Sequence, residues 1–194
     1  NATINGSPYY EMSNSLFDLL STDDIRYNVM VEPTSDFAAS SPDGNILVIG
    51  KYRGSEGQPL MNDVKIFRSS EMLLIRAEAA ASANNFTAAA GFIDQLRDAR
   101  YSTNQPTPVY ATQQEAFADI LLERRLELAY EGHRWVDMKR IGAKAGIFGV
   151  ERPTVDCDIN GACSLSLNDI RMKAVPIPII ELDANGVIQQ TTGY

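Results

Sequence analysis

The sequence predicts a mainly α fold of tetratricopeptide-like helix pairs, with long loops and a few short strands. Two patterns carry this prediction. Leu73, Ala77 and Ala80, then Phe86, Ala89, Ala90, Ile93 and Leu96, recur at helical spacing on either side of the break Asn84-Asn85. A further helix is announced by Thr112 with Glu115 three residues on, a capping box, and runs to about Tyr130.

Residues 1–64 are rich in loop signals, with Pro8, Pro33, Pro42, Pro59 and the turn Ser41-Pro42-Asp43-Gly44-Asn45. Short helices fit Tyr10–Leu20 and the stretch just after Thr22, and Ile46–Gly50 fits a short strand. Ser69-Ser70-Glu71 offers a helix start, with serine at the cap and an acid in the first turn. Leu73, Ala77, Ala80, Ala89 and Ile93 match a tetratricopeptide pair, although an alanine-rich hairpin of an ordinary bundle gives the same spacing. Residues 102–112 form a polar loop and 142–170 read as loop. Pro176 and Pro178 allow an extended segment but no central strand. The expected organisation is a single domain of 1–194, with a helical core at 65–141 between loop-rich 1–64 and 142–194.

The chain has 194 residues, 44% of them apolar, and a net charge of −8. That charge argues against nucleic acid and against docking on anionic lipid. No run approaches the roughly 20 apolar residues of a membrane helix, so no transmembrane segment is expected. The opening Asn1-Ala2-Thr3-Ile4 reads as the interior of a longer protein cut in a loop. A targeting signal or lipid anchor would then belong to a missing N-terminal part.

The helix at 112–130 holds the most informative chemistry. At about 100° per residue, Phe117, Ile120, Leu121 and Leu128 share a face with Arg124, Glu127 and Glu131. Charges that continue an apolar stripe must be paired, because taking an ion out of water costs several kcal/mol. Arg124, Glu127 and Glu131 are therefore expected to be at least half buried, with partners from the next stretch: Arg134, Asp137 and Arg140. A glycosidase would need two carboxylates on either side of a sugar bond. Residues four apart on one helix lie side by side, and crowding arginines depress the pKa that a general acid needs raised. A structural network is the expected reading.

Other chemistry is thin. His133 is the lone histidine, so it is read as structural, and zinc, which needs about four ligands, is not expected. There is no Gly-x-Ser-x-Gly and no phosphate loop. Cys157 and Cys163 flank a turn rich in Asn and Gly; a local disulfide in an oxidising compartment is expected, two reduced thiols being the alternative. Asp156, Asp158 and Asn160 match the first half of a calcium loop, but Leu167 stands where the bidentate glutamate is needed. No cofactor is expected, and calcium is a weak candidate.

Four segments resemble the SusD/RagB family: Arg68–Ala79; Ala89–Arg100; Ile120–Arg140 with Glu123-Arg124-Arg125, Glu127-Leu128, Glu131-Gly132 and Arg134-Trp135; and Pro176-Ile177-Pro178 with Glu181-Leu182 and the ending Gly193-Tyr194. Thr191-Thr192 replaces the usual Asn-Pro before that ending. Lys51-Tyr52 and Asp23–Arg26 fit more weakly. The resemblance implies the C-terminal part of a bacterial outer-membrane lipoprotein, lipid-anchored on the cell-surface side through its absent N-terminal part. It implies non-catalytic capture of oligosaccharide or polysaccharide for a SusC-like TonB-dependent transporter, and places the signature residues, Trp135 among them, in the core.

Sugars bind through aromatic faces and polar groups that satisfy hydroxyls. The loop aromatics Tyr9, Tyr10, Phe37, Tyr101 and Tyr110 are the ligand-binding candidates, Tyr9 and Tyr10 foremost. Two other readings remain at this point. One is a tetratricopeptide-like protein-interaction scaffold without a sugar ligand, and the other a hydrolase.

Overall fold

Apolar periodicity and capping account for the main elements of the computed structural model, which describes all residues except 1–2, 5–6, 9, 42–43, 55–56, 59–60, 158–162 and 170–172. Helix α3 (Ser69–Ser82) buries Leu74, Ala77 and Ala81, and α4 (Phe86–Asp98) buries Ala89, Ala90, Ile93 and Leu96. Alanines at the contact let the two helices pack closely as a hairpin. The Asn85 side chain caps α4 by accepting from the Ala88 N–H, and Asn84 makes the turn with a φ of 59°. Arg68, not serine, holds the cap position of α3, and the stripe runs through Leu74 and Ala81, with Leu73 and Ala80 at its margin.

Helix α5 (Gln113–Glu127) starts as the capping box requires. The Thr112 hydroxyl accepts from the Glu115 N–H, while the Glu115 carboxylate reaches the N–H of Ala111. The helix ends at Glu127. Tyr130 (φ 64°) and Gly132 (φ 80°) then turn the chain through left-handed conformations into α6 (His133–Ile141). Phe117, Ile120, Leu121 and Leu128 enter the main core with α3, α4, Met138 and Ile141. Leu126 and Ala129 face the other way, into a second core with Met12, Leu16, Met30, Val31 and Leu47. Burying α5 on more than one side explains why its charges could not all turn to solvent.

That second core belongs to the N-terminal region. The N-terminal region comprises β1 (Thr3–Ile4), β2 (Ser7–Pro8), α1 (Asn14–Phe17), α2 (Ile25–Met30), and the hairpin of β3 (Asp36–Ser41) and β4 (Gly44–Ile46). The expected helix at Tyr10–Leu20 shrinks to α1, because Glu11 pairs with Val48 in a β-bridge and Met12 N–H donates to the Leu47 carbonyl. The strand expected at Ile46–Gly50 is shorter, with Val48 and Ile49 held only by single bridges.

The region 142–170 is less irregular than expected. It carries α7 (Thr154–Cys157) and an antiparallel pair, β5 (Gly149–Glu151) with β6 (Ser164–Ser166), whose Val150 and Leu165 pack on the main core. A short helix, α8 (Ile179–Ala184), follows the prolines. Among the described residues no helix is long and apolar enough to cross a membrane.

Candidate functional site

Asp119, Glu123, Glu127 and Glu131 follow one another at intervals of four residues on α5 and its following turn. Each step rotates about 40°, so the four carboxylates form a slowly winding ladder. Cations fill the gaps. Arg97 spans Asp119 (2.6 Å) and Glu123 (2.9 Å). Arg26 spans Glu123 (2.6 Å) and Glu127 (3.4 Å), and is held in turn by Asp24. Arg100 grips Glu127 at 2.8 and 2.9 Å. Arg68 bridges Glu127 and Glu131, and Lys51 lies 2.5 Å from Glu131. Burial would push the Glu127 carboxyl up. Hydrogen bonds and charge from Arg100, the Ser70 hydroxyl and the Arg68 charge outweigh it and hold Glu127 at about 2. Such a group stays ionised at neutral pH, which suits ion pairing and not proton donation.

Arg124, Glu127 and Glu131 are thus desolvated and paired; Asp137 and Arg140 join the network as expected, but the partners of Glu127 and Glu131 do not come from the stretch expected. Arg124 donates to Asp137 at 2.8 Å and faces Glu78 at 3.4 Å; Arg140 ties Asp137 (3.0 Å) to Glu78. Glu127 and Glu131 instead take cations from residues 26, 51, 68 and 100. Arg134 stands outside the network, making no ion pair among the described residues. Trp135 is not a core residue: α6 buries Asp137, Met138 and Ile141, which lie on another side of the helix, leaving Trp135 46% exposed beside Lys139. His133 is half-buried, with Nδ1 3.7 Å from Glu71.

Sequence reasoning did not place Asp24, Arg26, Lys51, Arg68, Glu78, Arg97, Arg100, Asp119 or Glu123 in the network. One signal was available for Glu123, which sits one turn before Glu127 on the same helix. The same spacing of four reaches Asp119 one turn earlier, whereas the other groups lie on other elements and no local pattern exposes them.

The aromatic candidates do not converge. Tyr9 lies outside the described residues. Tyr10 is 75% exposed. Phe37 stacks on Phe17 at 5.6 Å, which in turn meets Tyr27 at 6.1 Å. Tyr101 is half-buried under the Arg26 guanidinium, 5.8 Å from its ring centre. It borders a pocket of about 200 Å³ shared with Arg97, Gln105 and Pro106. Tyr110 packs on the main core and donates its hydroxyl proton to Asp119 at 2.7 Å. A larger open cleft, about 380 Å³, has Tyr52, Asn28, Asn62, Asp63, Arg53 and Lys65 among its walls. It pairs one phenol ring with amides, a carboxylate and an ammonium, groups that match a hydroxyl-rich ligand. The chain between Gly50 and Lys65 carries most of these groups.

Cys157 and Cys163 are joined in a disulfide, with Cα atoms 4.9 Å apart. Asp156 is engaged by Asn14, accepting from its backbone N–H (3.0 Å) and its side-chain amide (2.8 Å). Asp158 and Asn160 lie outside the described residues. No group of three or more potential metal ligands occurs among the described residues.

Residues 50–194 match the model of the SusD family. The chain is 35% identical over 111 residues to SusD-like protein P38 of Formosa agariphila, covering 53% of this chain and 22% of that protein. A SusD superfamily protein of Bacteroides thetaiotaomicron superposes with a TM-score of 0.70 at 27% identity, over 93% of this chain and 40% of that one. A Bacteroides vulgatus structure named for sugar binding superposes with a TM-score of 0.68 at 25% identity, over 95% and 39%. The chain therefore spans between about a fifth and two fifths of the length of these relatives.

Proposed function

This chain belongs to the SusD family, and from that premise we propose that it captures oligosaccharide or polysaccharide at the bacterial cell surface without cleaving it. The cargo passes to a SusC-like TonB-dependent transporter, and the protein is held at the outer membrane by a lipid anchor carried elsewhere in a longer chain. The observation that carries the capture reading is the cleft around Tyr52, whose ring, amides and charged groups line an open space of about 380 Å³. An aromatic face covers the apolar side of a pyranose while the amides of Asn28 and Asn62 satisfy its hydroxyls. The sugar-binding name of the Bacteroides vulgatus relative supports the same reading. A non-catalytic role accords with the carboxylates of α5, which are committed to arginines.

The test is affinity electrophoresis of the full-length protein through gels of different polysaccharides. Retention by at least one is expected, and Tyr52→Ala should weaken it about tenfold, the order of one lost stacking contact. Absence of retention on every polysaccharide would leave the protein-interaction scaffold as the better reading. Retention untouched by Tyr52→Ala would move the site away from this cleft.

A further inference from the structure

Arg125 and Arg134 break the pairing rule that the other buried and half-buried arginines follow among the described residues. Every other described arginine that is buried or half-buried, from Arg26 to Arg124, holds at least one carboxylate. Among the described residues Arg125 on α5 has no acid partner; its Nη2 donates to the Ser15 hydroxyl of α1, at 2.8 Å. Arg134, in the first turn of α6, makes no hydrogen bond or ion pair among the described residues. Burial draws the pKa of both downward, and the Arg125 charge adds to that at Arg134, which falls to about 10. Asp137 acts against this, but its two oxygens are already taken by Arg124 and Arg140.

Two like charges that are half-buried, with no carboxylate paired to either among the described residues, raise the free energy of the fold. Tyr130 and Trp135, at 38% and 46% exposure, leave apolar surface open on the turn before α6 and in its first turn, either side of Arg134 in the chain. Arginine, tryptophan and tyrosine are the residues in which protein–protein binding energy concentrates.

We propose that Arg125 and Arg134 form the docking site for an Asp or Glu carboxylate carried by a polypeptide segment, from the part of a SusD-type chain that this sequence does not span. The solved relatives align with 93% and 95% of this chain, yet with only 40% and 39% of their own. Most of such a chain therefore lies outside it. A carboxylate seated between the two guanidiniums accepts from both, in the strong, charge-assisted mode that arginine forks favour.

The test is thermal melting of the full-length protein, free of glycan, as parent, Arg134→Met and Arg134→Glu. Methionine keeps an apolar stem and removes the charge. With the carboxylate in place, Arg134→Met strands it and lowers the melting temperature by several degrees, and Arg134→Glu lowers it further by repulsion. Without it, Arg134→Met relieves a like-charge contact and the melting temperature holds or rises, which overturns the proposal. Should Arg134→Glu fail to fold, Arg134→Met alone decides. A second arm adds a polyuronate to the parent. If Arg134→Met leaves the glycan-free melting temperature unchanged but abolishes a rise caused by the polyuronate, the site belongs to an acidic saccharide and not to a polypeptide. Retention through the Tyr52 cleft is read separately, so either proposal can fail while the other stands.

Discussion

Glu127→Gln keeps the shape of the side chain and removes its charge, leaving Arg26, Arg68 and Arg100 facing a neutral amide inside the ladder. The Glu127 side chain is fully enclosed. Its carboxyl is lowered from 4.5 to about 2. That difference is worth about 3 kcal/mol, at about 1.4 kcal/mol per tenfold change in proton affinity. Breaking one partner out of a buried pair costs a similar amount, about 3–5 kcal/mol. At about 2–4 °C per kcal/mol for a chain of this size, the melting temperature should fall by about 6–12 °C at neutral pH. The pH dependence has a definite sign. A carboxyl whose folded pKa is depressed contributes stability that is fully present above about 4.5 and is lost as pH falls toward 2. Calorimetry of parent and variant between pH 7 and pH 2 measures both quantities. The parent should lose stability through that acid window, and the variant should lack this component. A variant that melts with its parent, or keeps the parent's acid slope, would show that Glu127 is not held by its arginines, and the reasoning fails.

Gly142→Ala should destabilise the protein by about 1–3 kcal/mol: an added Cβ meets the Met138 carbonyl oxygen, and lies 2.8 Å from Leu167 Cδ1 and 3.3 Å from the Ile147 carbonyl oxygen. Chemical denaturation reads this directly, and unchanged stability would mean that the turn after α6 can open to admit a methyl group. Mass spectrometry after alkylation should detect modified Cys157 and Cys163 only when a reductant has been added; alkylation without reductant would refute the bond. The closed loop is short, so its loss should cost about 2 kcal/mol.

The helices were legible because each advertises itself locally. Thr112 and Glu115 mark a start, Asn84-Asn85 a break, and Ala77, Ala89 and Ile93 a face. The desolvation of Glu127 and Glu131 was also legible, since both continue an apolar stripe. Their partners were not. Arg26 meets Glu123 across 97 residues of sequence and Glu127 across 101, and no periodicity encodes a contact of that range. Trp135 misled for a related reason. Its neighbours Asp137 and Met138 are buried, but a helix turns away from its core within two residues. Tyr52 and its cleft escaped notice because the ring lies in an irregular stretch whose function depends on what Asn28 and Asn62 bring beside it.

The shared cations of the ladder also constrain how this protein can change. Arg26 serves two glutamates, Arg68 two, and Glu127 is served by three arginines. Losing Arg100 or Lys51 leaves every carboxylate with another cation, whereas losing Glu127 strands Arg100 and losing Glu131 strands Lys51. The cations can therefore be lost one at a time, while Glu127 and Glu131 can go only together with the cation that depends on each. Change in the ladder is thus ordered, its shared cations being open to loss before its two central carboxylates.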